Sequence, residues 1–280
     1  MLRLLFFLPL AFNGQACRSI LILICVFYGF ENSFSLKTLN AQESQAQLDL
    51  QRQKKGIYIA PLWLQGQQQF TAGKDNEISS KIAGQAGIRM GGDFWADDQR
   101  GLYLKAQMGL NTEIKVPNAN SFQSHQHKIA FGGRYRIHFG EHAKASALLF
   151  SIGLNALLQR YEGQKQLLFV DQDIFGPEAQ IAYEWTLSSS FWLRIGGGIG
   201  LPFLVREKQA DSGELVNFIA YQASLETIYQ ISTKMALQLQ VDFYQQSLAF
   251  NGVGSRIPGA KGALINDQYL MGAFGVRYLY

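Results

Sequence analysis

From Gly56 onward the chain alternates apolar and polar residues with a period of two, the spacing of a strand and not of a helix. Between Lys128 and Phe139 the division is complete. Ile129, Phe131, Gly133, Tyr135, Ile137 and Phe139 fall on one face; Lys128, Ala130, Gly132, Arg134, Arg136 and His138 fall on the other. The same alternation predicts ten strands, over 56–67, 79–95, 101–113, 125–140, 143–161, 174–187, 191–206, 215–231, 235–249 and 265–280. Their connections take turns in length. Those at 96–100, 141–142, 188–190 and 232–234 are short, while 68–78, 114–124, 162–173, 207–214 and 250–264 are longer and polar or glycine-rich. Several segments exceed the roughly 9–11 residues with which a tilted strand crosses a bilayer. An even number of strands, with short turns at one end and long loops at the other, is the form of an outer-membrane barrel. The predicted fold class is all-β: a ten-stranded antiparallel transmembrane β-barrel, an up-and-down meander with both chain ends on the periplasmic side.

Cost decides which face meets lipid. One register turns Arg89, Lys105, Arg134, Arg136, Arg194 and Arg277 outward, at about 2–4 kcal/mol for each one near the midplane. The other turns Ile82, Ile88, Leu104, Met108, Phe131, Phe150, Ile152, Ile195, Leu201, Leu239, Val241 and Phe274 outward instead, and is the one expected. The lumen is then lined by the six cations together with Glu178, Glu184, Glu226 and Asp242. Glu184 and Arg194 lie equally far from the turn at 188–190 and should face each other across it. Buried charges persist only when paired. The interior therefore reads as a salt-bridged plug, or as a narrow pore with a weak preference for anions. Ten strands lie near the closed end of barrel sizes. Gly196, Gly198 and Gly200 point inward and leave room beside the long side chains. The first strand is apolar on both sides, so its facing stays open. A soluble barrel of lipocalin type, apolar inside and polar outside, is the structural alternative.

The outward register also places Phe94, Tyr135, Phe139, Trp185, Phe191, Tyr229, Tyr278 and Tyr280 near the short-turn ends. Aromatic rings favour the membrane–water boundary, so these are expected to form a periplasmic girdle. The last segment alternates through Leu270, Gly272, Phe274, Val276 and Tyr278 to a terminal Tyr280. This ending resembles the C-terminal signal by which outer-membrane barrels are recognised by their assembly machinery. Over 56–280 the pattern resembles small bacterial outer-membrane β-barrel proteins, such as the Bacteroidetes-type families. That resemblance implies a bacterial outer-membrane location, with outer-membrane lipid and the barrel assembly machinery as partners. It implies no particular activity.

Residues 1–41 follow a different pattern. Two apolar runs, Leu4 to Phe12 behind Arg3 and Ile20 to Phe30 behind Arg18, are each about half the roughly 20 residues of a spanning helix. They read as a secretory signal, cut between Ala41 and Gln42 in a manner similar to Bacteroidetes signal peptides. Cleavage before Cys17, with lipid attached there, is the alternative. Residues 42–55 are polar and glutamine-rich, a flexible periplasmic lead-in to the barrel at 56–280. Both cysteines, Cys17 and Cys25, fall in the signal, so the mature chain would hold none. Cleavage also removes Arg3, Arg18, Lys37 and Glu31 from 25 basic and 21 acidic residues, leaving 22 against 20, a net charge of +2. That is too weak a field to argue for nucleic acid. Only 16% of residues are charged, against about 25% in ordinary soluble domains. A mean hydropathy of −0.03 excludes a bundle of membrane helices.

Catalytic and cofactor patterns are weak. Ten-stranded omptin-type proteases resemble this architecture, but the His-Asp pair they carry is missing; the nearest material is His125 and His127 with Asp171 and Asp173. Ser124 and His125 are adjacent, hence on opposite faces of a strand, and no G-x-S-x-G occurs. His125 and His127 share a face, yet two histidines without a third ligand hold a metal poorly. The stretch from Gly196 to Leu201 misses a dinucleotide fingerprint and opens no helix. No metal and no cofactor is expected. The expected function is that of a non-enzymatic barrel, structural or a narrow pore passing small solutes. The alternatives are a surface binder acting through its long loops, an adhesin-type role, and a hydrolase at the rim.

Overall fold

The structure, a computed structural model, describes residues 56–73, 76–114, 122–139, 146–162, 169–188, 190–257 and 259–280. The expected signal peptide, the lead-in and the short connection at 141–142 lie outside the described residues. Everything described is strand, turn or irregular connection. The strands are β1 (Gly56–Ala72), β2 (Asn76–Trp95), β3 (Arg100–Gly109), β4 (Thr112–Ile114), β5 (Phe122–His138) and β6 (Ala147–Glu162). The second half holds β7 (Gln172–Thr186), β8 (Phe191–Gly200), β9 (Leu204–Glu207), β10 (Glu214–Gln230), β11 (Met235–Val253) and β12 (Lys261–Leu279). β4 continues β3 past Leu110 and Asn111, and β9 continues β8 past Leu201, Pro202 and Phe203, so ten staves stand side by side. All neighbours are antiparallel. β1 pairs β12 from Gly56↔Leu279 to Ala72↔Ala263, and this pairing closes the sheet on itself. Closure satisfies the backbone donors and acceptors that lipid cannot.

Side-chain facing follows the cheaper register. Outward residues are apolar and exposed, with Ile152 at 72% and Leu102 at 63%, while Arg89 at 3% and Arg277 at 5% are buried inside. A lipocalin-type soluble barrel, which needs the reverse, is thereby overturned. β1 turns Ile57, Ile59 and Trp63 outward and Tyr58, Ala60, Leu62 and Leu64 inward, which settles the facing that its composition left open.

One expected outward residue is corrected. Ile82 is buried in the lumen. The register steps from Leu64↔Gln85 to Gly66↔Ile82, so β2 carries one residue more than β1 in that interval. An extra residue in a period of two reverses the facing of everything beyond it. β1 has Gly66 at this point because a Cβ there would strike the Gln268 carbonyl.

The strands are also longer than the apolar belt they carry. On β12 the outward series Tyr278, Val276, Phe274, Gly272, Leu270 gives way to Gln268 and Asn266; on β11 Phe243 gives way to Gln245 and Ser247. On β1, Gln65, Gln67 and Gln69 follow Trp63. The eight rises from Tyr278 to Leu270, at about 3.3 Å each and tilted by about 40°, cover roughly 20 Å, close to the ~25 Å apolar band of such barrels. The rest of each strand stands above the lipid, polar on its outer side. There the interior changes character. Phe70, Ile114, Phe122, Leu157, Ile174, Leu248, Phe250 and Ile265 form an apolar cluster that fills the distal end of the lumen. The part above the membrane is thus built like a soluble β-barrel, with oil inside.

At the opposite end the turns are tight. Asp97 closes the β2–β3 turn: Oδ1 accepts the backbone N–H groups of Gln99 at 2.9 Å and Arg100 at 2.5 Å, and Oδ2 accepts Arg100 Nε at 2.8 Å. The Arg100 N–H, then the Arg100 guanidinium, hold this carboxyl below its ordinary value of 3.8. Its contribution is complete above that value and is lost as pH falls through the lowered one.

Because the distal cluster is an ordinary packed core, Leu248→Ala is expected to cost about 2–5 kcal/mol. The check is the temperature at which the folded, fast-migrating gel band of the detergent-solubilised barrel converts to the unfolded one; an unchanged transition would show that this end is not packed.

Candidate functional site

The lumen is stacked in layers, and each follows from which inward positions the staves bring to one height. Nearest the periplasm, Asp93 of β2 bridges Arg134 of β5 and Arg277 of β12. Arg277 also approaches Glu226 of β10 at 3.7 Å. Glu226 accepts Arg194 Nη1 of β8 at 2.6 Å, and Arg194 Nη2 reaches Glu184 of β7 at 2.7 Å. Glu184 and Arg194 stand opposite each other in the β7–β8 register. Acid and base therefore alternate from Glu184 through Arg194, Glu226, Arg277 and Asp93 to Arg134. Gln238 donates to Glu226 at 2.7 Å, and Arg134 Nε donates to Ser151 Oγ at 3.2 Å. Arg136 lies at the same end with its guanidinium 3.9 Å from the centre of the Trp95 ring. A cavity of about 70 Å³, bordered by Arg136, Arg194, Arg277 and Trp192, forms the periplasmic mouth.

Above this, Arg89 pairs with Asp242 at 2.5 Å. Glu178 accepts from the Tyr103 hydroxyl at 2.8 Å, Gln180 at 2.9 Å and Asn155 at 3.3 Å. Gly153 makes room for Tyr103, whose hydroxyl would collide with a Cβ at that position. Lys105 and Lys128 border the same space, a cavity of about 50 Å³, which has room for a few waters. Lys128 Nζ sits 4.2 Å from the Tyr244 ring centre. The inward glycines of β8 do not leave an open path. Gln180 and Gln222 occupy the space beside Gly198, and Ala182 that beside Gly196.

A third layer is made of amides and phenols. Gln68 donates to the hydroxyls of Tyr161 at 2.6 Å and Tyr269 at 2.9 Å. Gln159 donates to Tyr269 at 2.7 Å and to the fully buried Asp267 at 3.3 Å, and Gln246 donates to Asp267 at 2.7 Å. The apolar cluster follows. Over it Arg256 lies 4.0 Å from the Phe70 ring centre, bound to Glu207 at 3.1 Å and Ser212 Oγ at 3.0 Å.

The structure thus places Arg89, Lys105, Arg134, Arg136, Glu178, Glu184, Arg194, Glu226, Asp242 and Arg277 inside the barrel, at two heights. The sequence reading missed Asp93, the hub of the lower layer, although it shares the facing of Arg89 four residues earlier. It also missed the glutamine–tyrosine layer. Phe94, Tyr135, Phe139, Trp185, Phe191, Tyr229, Tyr278 and Tyr280 sit on the outer face near the short turns. Phe139 stacks on Tyr183 with ring centres 6.0 Å apart, and Tyr183 meets Trp185 edge-on at 4.4 Å.

His125 and His127 face outward at the top of β5, ring centres 5.1 Å apart. Ser124 is buried on the other face. β6 separates the histidines from Asp171 and Asp173, and its Arg160 takes Asp173 at 2.5 Å. Among the described residues no group of three metal-ligating side chains exists.

No family model matches the chain, and no curated protein matches it. Solved structures do. The chain is similar to the outer membrane protease OmpT from Escherichia coli, with a TM-score of 0.54 and 10% identity over 81% of this chain and 97% of that one. It is also similar to the outer membrane protein OprG from Pseudomonas aeruginosa, with a TM-score of 0.42 and 11% identity over 81% and 95%. These likenesses concern the fold. With its lipid-facing belt, the chain is a closed ten-stranded β-barrel of the bacterial outer membrane.

Removing the hub carboxylate in Asp93→Ala leaves Arg134 and Arg277 without their shared partner and is expected to cost about 3–5 kcal/mol. Replacing Arg134 by Met in the same chain should return part of that loss. Gel-shift transition temperatures of the single and double variants test this; a neutral single variant would remove Asp93 from the hub role.

Proposed function

We propose that this chain is a non-enzymatic, non-conducting outer-membrane barrel that holds a rigid folded stub above the outer leaflet. The observation that carries the reading is the filled lumen. Charged pairs, the amide–phenol layer and the apolar cluster succeed one another along the axis, and the two larger cavities described between them amount to about 50 and 70 Å³. An ion following the axis would have to cross Phe70, Leu157, Ile174 and Leu248, where nothing replaces its hydration. The charge pairing supports the plug over the weakly anion-preferring pore, because Arg89, Arg134, Arg194 and Arg277, which would select an anion, are bound to carboxylates. The opposite facing of Ser124 and His125 and the capture of Asp173 by Arg160 support a non-enzymatic role. The alternating outward Leu270, Phe274, Val276 and Tyr278 of β12 support delivery by the barrel assembly machinery.

A second reading, binding at the outer surface, is favoured by the way two distal connections lock together. The backbone N–H groups of Ser255 and Arg256 donate to the Asp211 carbonyl at 2.9 and 3.1 Å, and Asp211 N–H donates to Ser255 Oγ at 2.9 Å. Arg256 clamps the same pair of connections through Glu207 and Ser212. A surface fixed in this way loses little conformational entropy when a ligand docks.

Planar-bilayer recording tests the first reading. The purified barrel is expected to give no discrete conductance steps. Steps whose ion preference changes in Arg134→Ala or Arg136→Ala would overturn it in favour of the pore.

A further inference from the structure

The wall of the barrel is split at one place. β8 pairs with both β7 and β10 up to Gly200, opposite Glu178 and Ala220. Leu201 N–H still reaches the Pro177 carbonyl at 3.0 Å, and then Pro202, which has no N–H, ends the ladder. Beyond it β9 follows β7 alone, from Phe175↔Leu204 to Gln172↔Glu207. The distal part of β10 follows β11 alone, from Ile219↔Ser247 to Glu214↔Asn251. Although β9 and β10 are consecutive in the chain, their Cα atoms almost nowhere come within 8 Å. The lips of this seam are apolar and exposed: Phe203 at 59% on one side, Val216 at 56% on the other. Behind it Val205, Leu215 and Phe218 pack half-buried against the distal apolar cluster.

The seam opens where the lipid-facing belt ends. Leu201 and Phe203 continue that belt, and Leu204 lies opposite Phe175. Two pairs higher, the exposed Arg206 stands opposite Asp173. Asp173 also meets Arg160 at 2.5 Å and Lys208 at 3.4 Å, and His125 faces Arg160 across the β5–β6 ladder. On this outer face Arg206 and Lys208 project beside the seam, with Asp173 and Asp171 of the neighbouring stave opposite them. At the same height β1, β11 and β12 carry neutral Gln67, Gln69, Gln245, Ser247, Asn266 and Gln268. Glu214 and Asp211 stand on the far lip, so the cations at the seam, Arg206 and Lys208, are those of β9 and the residue that follows it.

We propose that the seam is a binding site for one phosphate-bearing lipid of the outer leaflet. An acyl chain lies between Phe203, Leu204 and Val216 against Phe218, and the phosphate sits on Arg206 and Lys208. The occupant is a membrane lipid because the groove is continuous with the lipid-facing belt below and carries the exposed Arg206 and Lys208 where that belt ends. A chain lodged there also covers apolar side chains that otherwise meet water. This site lies outside the lumen and does not depend on whether the lumen conducts.

The test uses the full barrel in phosphatidylcholine vesicles that carry a minor fraction of phosphatidic acid with a diazirine in one acyl chain. After irradiation, labelled peptides are mapped by mass spectrometry, with diazirine phosphatidylcholine as the neutral comparison. The expected result is labelling concentrated on 201–218, and stronger for the phosphatidic acid probe than for the neutral one. Arg206→Ala, an exposed substitution that should leave the gel mobility of the folded barrel unchanged, is expected to lower the phosphatidic acid labelling about fivefold, the equivalent of about 1 kcal/mol per cation near an anionic surface. Val216→Asp should lower labelling by both probes. Labelling spread evenly around the belt, or equal seam labelling by both probes in the unaltered barrel, would overturn the proposal.

Discussion

Hydrocarbon solvates neither a peptide group nor an ion, and that one incapacity organises this molecule. Every backbone N–H and C=O in the belt must find a neighbouring strand, so the sheet has to close; the β1–β12 ladder is the closing seam. Every charge on those strands must turn inward, so the lumen receives a set of ions whose number is set by the sequence and whose solvation must come from one another. A ten-stranded cylinder is too narrow to hydrate them separately. Pairing is what remains, and the alternation from Glu184 to Arg134 is that pairing carried around the inside of the barrel.

The order of the layers has its own logic. Ions occupy the periplasmic end and middle of the lumen, where the outside is lipid and apolar residues are needed on the outer face. Where the outer face turns to glutamine, serine and asparagine, the inner face turns to phenylalanine, leucine and isoleucine. The barrel inverts along its own axis because its solvent inverts. Between the two regimes lies the band of Gln68, Gln159, Gln246, Asp267 and the tyrosines, whose groups are polar enough to meet the charged layer and bulky enough to meet the oil.

Much of this was legible from residues alone, because period-two facing combined with the cost of a lipid-facing arginine leaves only one register. The strands, their order and the contents of the charged layers follow from that. The failures are specific. Unbroken parity along the strand turns Ile82 outward, and the extra residue in β2 that reverses it is invisible without the partner strand. The parity of Asp93 is readable, but its importance lies in meeting Arg134 and Arg277 from two other strands, a three-strand coincidence that no local pattern encodes. The distal apolar cluster was missed for a related reason. Phe70, Phe122 and Phe250 fall at the ends or in the connections of the segments read from the sequence, and only the true strand lengths bring them together.

Those lengths also explain where the wall is irregular. The bulge in β2, the break between β3 and β4, the break between β8 and β9 and the register shift in β10 all occur in the distal half of their strands. None interrupts the register of the belt between β1 and β12 or between β10 and β8. Within lipid an unpaired peptide group costs several kcal/mol, so selection for stability removes such defects there. Above the lipid, water can take the unpaired groups, and the same defect costs little. Irregularity is thus permitted at one height only. It is also the height at which a barrel can meet lipid headgroups, because there a gap in the wall and a row of cations can stand side by side.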